Sequence, residues 1–142
     1  MNLDLVGKQA VVCGASKGIG RAAAEELALL GASVTLVSRS EDALKSVAET
    51  LDVSKGQKHS YFTADFMDTD DVEQKLKQRL AVSPVHILVN NGGGPPAGSA
   101  LSASINDYAA IFTQHVLVAQ TFVQLVVPGM KLEIVAYAII TQ

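Results

Sequence analysis

Gln9-Ala10-Val11-Val12-Cys13-Gly14-Ala15-Ser16-Lys17-Gly18-Ile19-Gly20-Arg21 reads as a strand, a glycine-rich turn and the start of a helix. Val11 and Val12 favour extended backbone, and the apolar residues Ile19, Ala23, Leu27 and Leu30 then recur at helical spacing. Glycines let the chain turn tightly and let a pyrophosphate approach without interference from Cβ atoms. A helix start offers unpaired N–H groups and the positive end of its dipole. Gly14, Ser16, Lys17, Gly18, Ile19 and Gly20 are therefore the candidate phosphate-binding residues. The same triplet also serves as a plain strand-to-helix connector, so its flanks have to decide.

Outward from this turn, strand and helix patterns alternate. Gly31 stops the first helix, and Ser33–Ser38 is a second strand. Ser40 opens a helix with Leu44, Val47, Ala48 and Leu51 on one stripe, and Gly56 marks a turn. His59–Thr63 is a third strand. Asp68 or Thr69 caps a helix carrying Val72, Leu76 and Leu80, with Glu73 and Lys77 as a supporting pair. Val85–Asn90 is a fourth strand, and 91–96 is an irregular glycine- and proline-rich loop. A long helix from Ser104 or Asn106 to about Val127 comes next, with Tyr108, Phe112, His115, Ala119, Phe122 and Val126 on one face. Leu132–Ile140 reads as a fifth strand. This alternation predicts an α/β fold: a doubly wound parallel sheet of about five strands, helices on both faces, in a single domain over residues 1–142.

Composition narrows the function classes. The 142 residues carry a net charge of −3 and no basic cluster, which argues against a nucleic-acid surface. Cys13 is the single cysteine, so no internal disulfide forms and a reducing, cytoplasmic setting is expected. Residues 1–8 lack the apolar core of an export signal. The apolar run Val116–Val127 is interrupted by Gln120 and Gln124 and is too short to span a membrane. His59, His86 and His115 share no metal-ligand spacing, so no metal is expected. His59 and His86 read as surface or strand-edge residues, and His115, on an apolar helix face, reads first as a core residue.

Ligands of such sheets lie beyond the carboxyl ends of the strands. Three loops fall there: 14–20, 38–41 and 90–96. The second strand ends in Ser38-Arg39, where a site for NAD usually carries a carboxylate; Arg39 and Lys17 instead favour a 2′-phosphate, hence NADP(H). The competing reading makes both cations solvated surface charges. Asp65 either accepts from an adenine amino group or begins a turn. Asn90 and Asn91 either tie strand ends together beside a cofactor or form an Asn-Gly turn.

Gly14-x-x-x-Gly18-x-Gly20, Ser38-Arg39, Asp65, Asn90-Asn91-Gly92-Gly93 and the helix ending in Pro128-Gly129-Met130 together resemble the short-chain dehydrogenase/reductase family. The resemblance covers about residues 1–130. It implies a Rossmann-like fold with the sheet in the order 3-2-1-4-5, incomplete at its C-terminal side, together with NADP(H), hydride exchange with a small alcohol or carbonyl of the 3-oxoacyl reductase type, and a dimer or tetramer built through helix 106–127. It places Asn90 and Gly92 on the ribose–nicotinamide side. It also places His115 where the family has a catalytic helical Asn, and Gly92 where the family's Asn-Asn-Ala-Gly has Ala. Cys13 stands where the family usually has Thr. The family's catalytic Ser and Tyr-x-x-x-Lys do not occur: Tyr137 is followed four residues later by Thr141. Against that pattern 131–142 is an atypical ending, and the chain is expected to be truncated and inactive alone. A catalytically inactive nucleotide-binding or interaction module is the alternative.

Overall fold

The computed structural model describes residues 3–94 and 102–126. Its strands are β1 (Gln9–Cys13), β2 (Ser33–Ser38), β3 (Ser60–Thr63) and β4 (Ile87–Val89). They form a parallel sheet in the order β3-β2-β1-β4, with Cys13 beside Val37, Val12 beside Val89 and Ser38 beside Thr63. The expected fifth strand, Leu132–Ile140, lies outside the described residues. The parallel, doubly wound architecture is otherwise as the alternation of patterns predicts.

The two-residue period of β1 distributes its side chains to two cores. Ala10 and Val12 pack under helices α1 (Gly18–Leu29) and α2 (Glu41–Thr50), with Ala24, Ala28, Leu44 and Val47. Val11 and Cys13 pack under α3 (Thr69–Leu80) and α5 (Val118–Val126), with Val72, Leu76, Val118 and Phe122. Phe66 meets Phe122 edge-on, with ring centroids 6.1 Å apart.

The buried face of α1 differs from the expected one. Gly20, Ala24 and Ala28 are buried, one position on from Ile19, Ala23 and Leu27, and Ile19 is 64% exposed. Small residues win this face because α1 runs close over β1. Helix ends conform to the predicted chemistry more closely. Asp68 Oδ1 accepts from Asp71 N–H at 3.0 Å, and Lys77 pairs with Glu73. Ser104 and Asp107 form a reciprocal capping box that starts α4 (Ile105–Phe112). Ser40 sits at the start of α2 without a side-chain cap bond.

The long helix is not uniform. Between α4 and α5 lies a π-helical turn, Thr113–Leu117. A π turn carries an additional residue, so it rotates α4 about the helix axis relative to α5. Ala119 and Phe122 are buried, whereas Tyr108 and Phe112 are 57% and 55% exposed. The single stripe from Tyr108 to Val126 is therefore broken at the π turn. The whole run Ile105–Val126 has 22 residues, and its most apolar 18-residue window has a mean hydropathy of 1.4, long and apolar enough by those measures to cross a membrane, unlike the shorter stretch 116–127. Here its inner face packs on the sheet and α3 through Val118 and Phe122.

Candidate functional site

The glycine turn sits at the centre of the carboxyl edge of the sheet. Gly14 and Gly18 take φ of +62° and +58°, a region L side chains rarely adopt. Gly20 is required for a different reason. A Cβ there would lie 2.3 Å from the Gly14 carbonyl oxygen and 2.7 Å from Asn91 Nδ2. The start of α1 is thus pressed against the end of β1. Ala15 N–H donates to the Val37 carbonyl at 3.2 Å, fastening the turn to β2. Lys17 precedes α1 in extended conformation, and no side chain caps this end. The first N–H groups of α1 therefore have neither a helical acceptor nor a capping side chain. This geometry suits an anion in contact with backbone.

On the β2 side, Ser38 is buried and its Oγ has no hydrogen-bond partner, while its carbonyl accepts from Ala64 N–H at 3.0 Å. An orphaned buried hydroxyl is uncommon and fits a group that a ligand completes. Arg39 and Lys17 are exposed, and neither makes an ion pair among the described residues. Asp65 is exposed after β3. Its Oδ1 accepts from Met67 N–H at 3.0 Å and its carbonyl from Asp68 N–H at 2.9 Å, so it does begin a turn.

On the β4 side, Asn91 ties two strand ends. Its Nδ2 donates to the carbonyls of Cys13 at 3.3 Å and Gly14 at 3.5 Å. A Cβ on Gly14 would come within 2.6 Å of Asn91. The tie is therefore part of the glycine turn. Asn90, Gly92, Cys13, Gln114 and His115 line a small cleft beside it, floored by Phe122. Burial pushes the Cys13 thiol far up from its ordinary value, against a smaller opposite effect of the Asn91 backbone N–H, so the thiol stays protonated and inert.

His115 is not a core residue. It lies in the π turn, partly buried, with its Nε2 2.9 Å from the Gly93 carbonyl oxygen. Gln114 Nε2 donates to the same oxygen at 3.2 Å. Gln114 is absent from the residues that the sequence singles out, and the only signal for it is a polar pair, Thr113-Gln114, interrupting an apolar helix. His59 and His86 do stand at strand edges: their Nδ1 atoms each accept, at 3.1 Å, from Val34 N–H and Gln9 N–H. No cluster of metal-ligating side chains occurs among the described residues.

The model of the short chain dehydrogenase family matches residues 8–141. Very-long-chain 3-oxoacyl-CoA reductase-A of Danio rerio is 43% identical over 88 residues, 62% of this chain and 27% of that protein. Inactive hydroxysteroid dehydrogenase-like protein 1 of Pongo abelii is 34% identical over 126 residues, 87% of this chain and 38% of that protein. The crystal structure of L-sorbose reductase from Gluconobacter frateurii, complexed with NADPH and L-sorbose, superposes with a TM-score of 0.82 at 30% identity, over 92% of this chain and 50% of that one. The chain thus spans well under half the length of these two sequence relatives and half that of the solved structure.

Proposed function

We propose that this chain, which belongs to the short-chain dehydrogenase family, is the cofactor-binding part of an NADP(H)-dependent oxidoreductase. One observation carries the reading. Gly14, Gly20 and Asn91 are packed too closely to admit a Cβ, while the start of α1 has no side-chain cap and a Cβ on Gly18 would meet nothing within 4 Å. The bound nicotinamide would supply or accept the hydride. Gly14, Ser16, Lys17, Gly18, Ile19 and Gly20 hold its pyrophosphate. Arg39, with Lys17, takes the 2′-phosphate, and Ser38 Oγ gains the partner it lacks. Asp65 has a second carboxylate oxygen beyond the one that closes its turn, and this would accept from the adenine amino group. Asn90 and Gly92 flank the ribose–nicotinamide end. The NADPH complex of the L-sorbose reductase and the 3-oxoacyl-CoA reductase among the relatives support a small or acyl-linked carbonyl as the substrate class. The apolar outer side of helix 105–126 supports self-association of the chain.

Titration of NADPH and NADH against the 142-residue chain tests this. NADPH binds more tightly, and added salt narrows the gap because a charge contact is screened. Equal affinities insensitive to salt remove the case for NADP(H), and failure to bind either ligand removes the reading. A second reading is a binding module without turnover. It is favoured by the relative named inactive. Cofactor binding without carbonyl reduction selects it.

A further inference from the structure

We propose that Gly92 and His115 are a matched pair: the imidazole takes the room of the side chain that residue 92 lacks and, with Gln114, positions the Gly92–Gly93 backbone at the cleft mouth. The requirement for glycine at 92 is one of space. Gly92 is not among the glycines with positive φ, so its backbone path admits any residue. A Cβ added there, however, would lie 3.0 Å from His115 Cε1 and 3.3 Å from Nδ1. The ring is held in that place. A carbonyl oxygen only accepts, so the contact of His115 Nε2 with Gly93 at 2.9 Å puts the ring proton on Nε2. Gln114 donates to the same carbonyl at 3.2 Å.

The π turn makes this convergence possible. Its wider turn leaves consecutive side chains at a smaller angle than in an α-helix, so Gln114 and His115 both reach one acceptor. Gly92 and His115 are also two of the places where the chain departs from the family pattern, and they touch. On the other side, Asn91 anchors the same loop to the Cys13 and Gly14 carbonyls. The loop is thus clamped between β1 and the π turn. Resting on the cofactor reading above, Gln114 and His115 are positioning residues for the ribose–nicotinamide end of the ligand.

The test is a double-mutant cycle read by thermal unfolding, with NADPH titration alongside. Gly92→Ala lowers Tm by a few degrees in the unaltered background. In the His115→Ala and His115→Gln backgrounds the same change leaves Tm unchanged or raises it, since the methyl then has room and the unfolded chain loses freedom. His115→Gln keeps a donor of similar reach and retains NADPH affinity, whereas His115→Ala weakens it about tenfold, the loss of one hydrogen bond. An equal Tm loss in all backgrounds, or no loss in any, overturns the pairing. Nitrogen NMR of the unaltered chain decides independently of any variant's folding: a ring protonated at Nε2 is expected, and one protonated at Nδ1 alone overturns it. Failure of the unaltered chain to bind NADPH sinks the cofactor reading and leaves the cycle to judge the pair.

Discussion

The glycine turn at 14–20 and the Gly92–His115 contact lie at the same edge of the sheet and use the same residue type for different physical reasons. In the turn, Gly14 and Gly18 satisfy a backbone conformation, and Gly20 satisfies an approach between backbones. Its neighbour is a carbonyl oxygen, which cannot move without moving β1. At 92 the backbone is ordinary and the neighbour is an imidazole on a helix. A ring can rotate at the cost of its bond to Gly93. The first region is rigid by construction, and the second is adjustable by side-chain chemistry.

Breaking the comparison starts with Gly20→Ala. The methyl would sit 2.3 Å from the Gly14 oxygen, so α1 must lift from the sheet. Overpacking of this kind costs about 3 kcal/mol. Urea unfolding reads the loss, and NADPH binding disappears with it. If Gly20→Ala costs no more than Gly92→Ala, the contrast between a backbone neighbour and a side-chain neighbour is wrong.

The same contrast explains how much is legible in the sequence. The turn and the four strands come from patterns within about twenty residues: β-branched runs, glycine spacing and helical periodicity. Their order in the sheet comes from the family resemblance instead. The cap at Asp68 and the start at Ser104 come from single residues beside their helices. The features that the sequence hides depend on contacts across the fold. Nothing local says that α1 buries Gly20, Ala24 and Ala28 rather than its larger neighbours; closeness to β1 decides it. The π turn leaves no local mark beyond Thr113-Gln114, yet it splits the apolar stripe and turns His115 from a core position to the Gly93 carbonyl. Ser38 stands out in the sequence only by its place at a strand end, and burial alone shows that its hydroxyl lacks a partner.

Smaller effects sharpen the comparison. Arg39→Asp leaves the turn intact and changes only its charge. It shifts the NADPH-to-NADH preference about thirtyfold toward NADH, equivalent to about 2 kcal/mol for a hydrogen bond to a charged group. An unchanged ratio places Arg39 outside the site. At the opposite edge of the sheet, imidazoles tie strand starts by accepting rather than donating. His59 Nδ1 accepts from Val34 N–H, which leaves Nε2 to donate to the Asp52 carbonyl at 2.8 Å. His59→Phe strands both groups and costs about 1 kcal/mol, while Gly92 and the NADPH affinity are unaffected. Amide exchange at Val34, slow in the unaltered chain, accelerates in the variant; an unchanged rate refutes the tie.

The smallest effect concerns the far anchor of the adjustable region, the capping box that starts α4. Asp107 Oδ2 accepts from Ser104 N–H and from Ser104 Oγ, both at 2.8 Å. These two bonds hold the Asp107 carboxyl below its ordinary value. A depressed carboxylate contributes stability that is complete above its unfolded value, about 3.9, and is lost as pH falls through the lower folded value. Asp52, lowered chiefly by its bonds from Ser54, acts with the same sign in the loop before β3. Both groups are exposed, so the expected change is a shallow decline confined to acid, with nothing on their account between pH 7 and about pH 5. Asp107→Asn keeps an acceptor for Ser104 but removes the titration. Its Ser104 amide exchange, corrected for the intrinsic rate, should stay flat from about pH 5 to about pH 3, where that of the unaltered chain rises. The glycine turn, built from backbone contacts, should show no such difference between the two proteins. An acid-dependent loosening that appears equally at Ala15 N–H and at Ser104 N–H would mean that the two regions open together, and that the division between a rigid and an adjustable half of this edge does not hold.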